Sequence, residues 1–119
     1  QYDIHDKIWL LLSKNLDTID TIDIAVQSIE KMWGLCDFRF SLAKHAITIA
    51  LSVCSIIESP VARKTRGFIS VAEQRINRCI ALARMRKEKY PDDTRNPLID
   101  QSLGKVAERF IKATSAFET

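Results

Sequence analysis

The sequence predicts an all-α protein, an antiparallel up-down four-helix bundle built as a single domain over residues 1–119. Three observations carry this prediction. Apolar residues recur at alternating steps of three and four in every segment, and no sustained alternation of period two is present. Only three Gly and three Pro occur, which argues against a turn-rich β-sandwich or barrel and leaves no glycine-rich phosphate loop. The chain is 46% hydrophobic and 28% charged, enough apolar material for one core to offset the entropy of ordering it.

The first helix is expected from about Tyr2 to Trp33. Ile19, Ile22, Val26, Ile29 and Trp33 form its apolar stripe, Leu12 extends the stripe upstream by one heptad, and Asn15–Thr18 is the point where it can break. Gly34 is its expected end, since glycine tolerates a positive φ. Trp9 and Trp33 read as packing anchors. The run Trp9 to Leu12 has no polar interruption and would form a docking surface if exposed.

The second helix is expected from Asp37, a favourable N-cap, to Glu58. Its apolar residues, from Phe40 and Leu42 through Ile56 and Ile57, cover most of the circumference. A helix apolar nearly all round is buried on more than one side, so the excess predicts a homo-oligomer interface. The charge-free stretch from His45 to Ile57 is shorter than the roughly 20 apolar residues a membrane span needs.

Ser59 and Pro60 supply an N-cap and first-turn pair for a third helix reaching about Tyr90, with Gly67 able to delay its start. Phe68, Ala72, Ile76, Cys79, Ile80 and Ala83 form its core stripe, and Pro91 stops it. Asn96-Pro97 opens the last helix, whose Ile99, Leu103, Val106, Phe110, Ala113 and Phe117 again alternate by four and three.

Charge is unevenly spread. The net charge is +3 for the whole chain, but residues 1–37 carry −4, residues 38–90 carry +8 and the remainder −1. The basic middle attracts polyanions or acidic partners. Arg63, Lys64 and Arg66 cluster near the start of the third helix. Arg75, Arg78, Arg86 and Lys89 fall within an arc of roughly 80° on its wheel, and Arg84 and Lys87 lie elsewhere on the same helix. Acids at salt-bridging spacing are few there, namely Glu73 and Glu88, and the bias towards arginine suits phosphate. A solvated face is the plainer alternative. No groove-reading motif accompanies the patch, so contacts with RNA or an RNA/DNA hybrid are expected at the phosphate backbone. Reversing Arg75, Arg78 and Arg86 to Glu is expected to abolish binding with helicity intact.

Other chemistry is sparse. Asp17, Asp20 and Asp23 share a helical edge that reads as solvated, because three carboxylates on one helix do not complete a calcium shell. Cys36, Cys54 and Cys79 are odd in number and lack a C-x-x-C, so neither a paired disulfide framework nor a cysteine-built metal site is expected. A reducing compartment is implied, and the opening Gln-Tyr-Asp-Ile-His-Asp lacks the basic start of a signal peptide. The expectation is a cytoplasmic, non-catalytic protein with no cofactor, no metal and no membrane partner. Arg39 and His45 form an R-x5-H spacing that resembles the Arg-x4–6-His motif of HEPN-type ribonucleases, whose pair acts on the 2′-hydroxyl and scissile phosphate. His45 also has apolar neighbours and reads as a packed core or interface residue. In that family the motif lies in a late helix.

The stretch Arg39-Phe40-Ser41-Leu42-Ala43-Lys44, a long apolar helix after it, then Ala62-Arg63-Lys64 and Ala83-Arg84, is similar to a family of small four-helix bundles. These are the accessory variability determinants of diversity-generating retroelements, with related proteins encoded in intervening sequences of ribosomal RNA genes. The resemblance covers roughly residues 25–115. It implies a pentameric barrel with a basic surface that binds a reverse transcriptase and its template RNA and assists complementary-DNA synthesis. By position, Arg63, Lys64, Arg66, Arg75, Arg78, Arg84, Arg86 and Lys87 would belong to that surface. The longer acidic first helix, Pro60 and the Ala113–Phe117 ending depart from the family. A helical adaptor of antitoxin or immunity type is the remaining alternative.

Overall fold

Five α-helices follow one another in the computed structural model of the chain: α1 (Tyr2–Ser13), α2 (Ile19–Leu35), α3 (Phe40–Glu58), α4 (Phe68–Lys89) and α5 (Asn96–Ser115). It describes residues 2–35, 39–60 and 67–115, with side chains from Lys7 onward. The expected all-helical class holds, with no strand among the described residues.

The count rises from four to five because the expected first helix is two. Residues 14–18 form a turn, and α2 restarts with a reciprocal cap. The Thr21 amide donates to Thr18 Oγ1 and the Thr18 amide to Thr21 Oγ1, both at 3.2 Å. Asn, Asp and Thr side chains offer the backbone such local partners, which compete with a continuing helical ladder. At its far end α2 passes through Gly34 and stops at Leu35.

The expected cap at Asp37 lies outside the described residues. Arg39 takes the extended position before α3, at φ −53 and ψ 144, without a side-chain cap. Ser59 closes α3 rather than opening the next helix, its amide donating to Ile56 O at 3.0 Å and its hydroxyl to the same oxygen at 2.7 Å. α4 begins only after Gly67, whose φ of 77 lies in the left-handed region that L side chains rarely adopt. Asn96 pins the preceding loop, its amide Nδ2 donating to Tyr90 O at 2.8 Å and Pro91 O at 3.3 Å.

α3 is the central helix, packed most extensively on α4, then on α5 and α2. Ile49, Val53, Cys54 and Ile57 are fully buried, together with Ile22, Val26 and Ile29 of α2, Ile99 and Val106 of α5, and Cys79 of α4. Burying each large aliphatic side chain contributes about 1.5–3 kcal/mol. This placement accounts for the apolar circumference of α3. It is long and apolar enough to cross a membrane, yet every large apolar side chain on it is buried or half-buried within one protomer. Much of the excess that suggested an oligomer interface is covered within the protomer, with Phe40, Ile47, Leu51 and Ile56 left half-buried. Large apolar side chains are exposed instead on α1, at Ile8, Leu10 and Leu11, and singly at Ile24, Leu35, Met85, Leu98 and Ile111.

Candidate anion-binding site

The basic residues of α4 do not form one free face. Arg75 forks onto the carboxylate of Asp23, and Arg78 onto that of Glu30, with Arg78 Nε 3.1 Å from Glu30 Oε2. Lys87 pairs with Asp100 of α5. Arg86 is buried, 4% exposed, with its NH1 2.8 Å from Asp93 Oδ2. Lys89 lies 5.9 Å from the centre of the Tyr90 ring. Arg84 is exposed, with no carboxylate within 4 Å among the described residues. Arg63, Lys64 and Arg66 lie outside the described residues.

Reversing Arg75, Arg78 and Arg86 would thus set new carboxylates against Asp23, Glu30 and Asp93, so the expectation of intact helicity is withdrawn. The reason is complementary charge: the acidic edge of α2 faces the basic side of α4, and bidentate Arg–carboxylate pairs form across the seam. Hydrogen bonding to Glu30 raises the Arg78 pKa.

Positive charge gathers instead at one end of the molecule. A cavity of about 420 Å³ is lined by Arg39, Phe40, Ser41 and Lys44 from the start of α3, Arg86 and Tyr90 from the end of α4, and Arg95 from the following loop. The Arg86 guanidinium lies 5.2 Å from the Phe40 ring centre and 4.9 Å from that of Tyr90, while Arg95 lies 4.2 Å from Phe40. Aromatic faces attract cations in this way and hold them in place.

Asp93 serves both guanidinium groups. It accepts from Arg95 Nε at 3.0 Å, Arg95 NH2 at 2.8 Å and the Arg95 amide at 2.9 Å, and it pairs with Arg86. Hydrogen bonds from Arg95, then Arg86, hold its carboxyl well below the usual carboxylate range. Asp93 thus meets two of the four cationic side chains that line the cavity, Arg86 and Arg95. The first turn of α3 adds amide donors and the positive end of the helix dipole, with no acidic side chain there to offset them.

A small crevice of about 180 Å³ adjoins the cavity and shares Phe40 and Lys44 with it, its other walls being Ile47, Leu98, Ile99 and Ser102. A larger recess of about 790 Å³ beyond the loop is less suited to anions. Its carboxylates, Glu88, Asp92, Asp93 and Asp100, outnumber Arg84 and Lys87.

The remaining sequence candidates separate from this site. His45 stacks on Trp9 of α1, ring centres 4.1 Å apart and planes within 18°, whereas Arg39 lines the cavity. Cys54 and Cys79 are free and buried, and burial pushes the Cys79 thiol up to about 12. Among the described residues no group of three or more His, Cys, Asp or Glu side chains is placed to hold a metal. Sequence reasoning quoted Arg39 and Lys44 without assigning them to the site, and missed Arg95. The available signal was two cations flanking an uncapped helix start at Phe40. Comparisons with known protein families, with curated proteins and with solved structures returned no match.

Proposed function

We propose that this chain is a non-catalytic accessory protein that binds nucleic acid through the phosphate backbone, using the cationic cavity between the start of α3 and the end of α4. The observation that carries the reading is the convergence of Arg39, Lys44, Arg86 and Arg95 around one space, with no acidic side chain among the described residues that line it. Phe40 and Tyr90 already have guanidinium groups over them, so these rings are poorly placed to stack bases. Recognition by charge alone is largely independent of sequence.

The narrower reading, an accessory of a retroelement reverse transcriptase that assembles as a homo-oligomer, draws its support from the Arg39–Lys44 stretch and its resemblance to the accessory variability determinants. The exposed Ile8, Leu10 and Leu11 of α1 offer apolar area for such contacts. An up-down order of the long helices belongs to the same reading. Asp23 and Glu30 of α2 meet Arg75 and Arg78 of α4 in the same chain order. Cys54 and Glu58 of α3 likewise meet Val106 and Arg109 of α5 in order. Alternate helices of an up-down bundle run in the same direction, as these pairs do.

The test is binding of a short single-stranded oligoribonucleotide by wild type, by Lys44→Gln/Arg95→Gln, and by the charge-matched control Lys105→Gln/Lys112→Gln. Loss of about tenfold or more is expected for the first pair, as two charge-assisted contacts disappear, with little change in the control. Equal loss in both pairs, or no binding by wild type, overturns the reading.

A further inference from the structure

We infer that the groove between α3 and α5 is a docking site for an acidic amphipathic helix of a partner protein, whose apolar stripe lies along the groove and whose carboxylates meet Lys44 and Lys105. The inference goes beyond the nucleic-acid reading, and the crevice in the groove shares only Phe40 and Lys44 with the cationic cavity.

Spacing is the first argument. Phe40, Lys44, Ile47 and Leu51 follow one another along α3 at steps of four, three and four, and Leu98, Ser102, Lys105 and Arg109 repeat those steps along α5. At about 100° per residue each set occupies an arc of roughly 60°. The two stripes lie side by side. Phe40, Lys44 and Ile47 share the crevice of about 180 Å³ with Leu98, Ile99 and Ser102. Further along, Arg109 crosses to α3 and donates to Leu51 O at 3.5 Å and Ser55 Oγ at 2.9 Å. A seam of this period matches the face of another helix, which presents its anchors at the same steps. The crevice is smaller than the roughly 300 Å³ at which small-molecule pockets begin, and it suits one apolar side chain.

Uncovered apolar surface is the second. Phe40, Ile47 and Leu51 remain half-buried on this stripe of α3, and Leu98 beside them is 57% exposed. They are part of the apolar circumference of α3 that the other helices of the chain leave open.

Charge is the third argument, and it selects the partner. Lys44 and Lys105 are exposed, and none of the ion pairs formed between described residues uses either. α3 has no acidic residue before Glu58, which pairs with Arg109. On α5, Asp100 pairs with Lys87 and Glu108 with Lys112. Lysines flanking an apolar seam favour a helix with carboxylates beside its apolar stripe. A second copy presenting the same groove would set Lys44 and Lys105 against their own counterparts, since a two-fold interface pairs a patch with itself and like charges repel there.

The experiment measures binding of three labelled helical peptides of about five turns. One carries leucines at steps of four, three and four flanked by glutamates, one the same leucines flanked by lysines, and one the glutamates with alanines in place of the leucines. The glutamate–leucine peptide is expected to bind about tenfold more tightly than either of the others. Leu98→Ser should weaken it about tenfold, as one apolar side chain loses its contact, and leave oligoribonucleotide binding unchanged. Lys44→Glu/Lys105→Glu should reverse the order of the two leucine peptides. All three substitutions fall at exposed positions. In nuclear magnetic resonance spectra the peptide should shift the methyl signals of Ile47, Leu51 and Leu98 and leave those of Ile8, Leu10 and Leu11. No preference for glutamate over lysine, with oligoribonucleotide binding intact, overturns the groove and leaves the nucleic-acid reading standing. The expected peptide order without oligoribonucleotide binding does the reverse. Equal weakening of peptide and oligoribonucleotide by Leu98→Ser overturns the inference by giving the groove to RNA. Self-association of the wild type that Leu98→Ser abolishes overturns it by giving the groove to a second copy.

Discussion

The ionic-strength dependence of RNA binding separates the cavity from the basic helix face that the sequence suggested. Each single-strand phosphate neutralised contributes about −0.7 to the slope of log affinity against log salt. Nine basic residues acting together, Arg63 through Lys89, would give about −6. Among the described residues of that set, fewer are available. Arg75, Arg78 and Lys87 are committed to Asp23, Glu30 and Asp100. A strand whose contacts in the cavity neutralise about three phosphates should give a slope near −2, and one that also reaches exposed Arg84 about −3. Between about 50 and 200 mM salt, affinity should fall about 20-fold for the cavity alone and several thousand-fold for the full face. Fluorescence anisotropy with a short labelled oligoribonucleotide reads this directly. Lys44→Gln should flatten the slope by about 0.7, and Arg75→Gln should leave it unchanged. A slope near −6, or one indifferent to Lys44→Gln, refutes the reasoning.

Three further outcomes follow from the same geometry. Arg86→Met should destabilise the fold by about 3 kcal/mol in urea unfolding, the low end for a broken buried pair because Asp93 keeps Arg95. A loss under about 0.5 kcal/mol, the scale of an ordinary surface substitution, would show that the guanidinium is not buried. Asp93, held low by Arg95 and Arg86, and Glu58, held low by hydrogen bonds from Arg109, have depressed folded-state pKa values. Their stabilisation is complete above the unfolded carboxylate range near 4 and is lost as pH falls through the lower folded values. Tm should therefore hold between about pH 7 and 5 and drop below about 4; a drop already complete at pH 5 contradicts this. In a Cys36→Ser background, Cys54 and Cys79 should resist a thiol-specific disulfide reagent at pH 8 until the protein unfolds, since burial raises both thiols. Rapid labelling of the native protein would contradict their burial.

Helical periodicity made the long elements legible. The stripe through Ile22, Val26 and Ile29 and the one through Ile99, Val106 and Ala113 are buried as their spacing required. Pro91 and Asn96-Pro97 bracket the loop where they should. The turn between α1 and α2 was visible only as a weak point. A stripe can continue in register across a break, and Thr18–Thr21 capping decides the matter locally. The functional site was harder for a different reason. Summing charge along a segment treats each helix as isolated, yet Asp23 and Glu30 lie about fifty positions from the arginines they neutralise. The cavity draws Arg39, Lys44, Arg86 and Arg95 from three separate stretches, and no single stretch of sequence displays that set. The apolar surplus of α3 is read in the same way: its periodicity states how much surface is covered, not which helices cover it.

The burial of α3 and the location of the surplus charge are linked. A helix wrapped by α2, α4 and α5 brings its first turn against the end of α4 and the loop that follows, so Phe40 meets Arg86 and Arg95. Along the flank, acidic α2 and basic α4 neutralise one another, and that seam contributes cohesion at the cost of external potential. At the end, Asp93 serves Arg86 and Arg95, and Lys44 and Arg39 line the same cavity. A carboxylate and two rings surround the buried Arg86 guanidinium and offset the cost of its burial. The same surroundings fix it beside the cavity wall, where its charge adds to that of the more accessible groups. Of the basic set that a count along the chain assigned to α4, the cavity takes Arg86 alone, and it draws Arg39, Lys44 and Arg95 from other stretches.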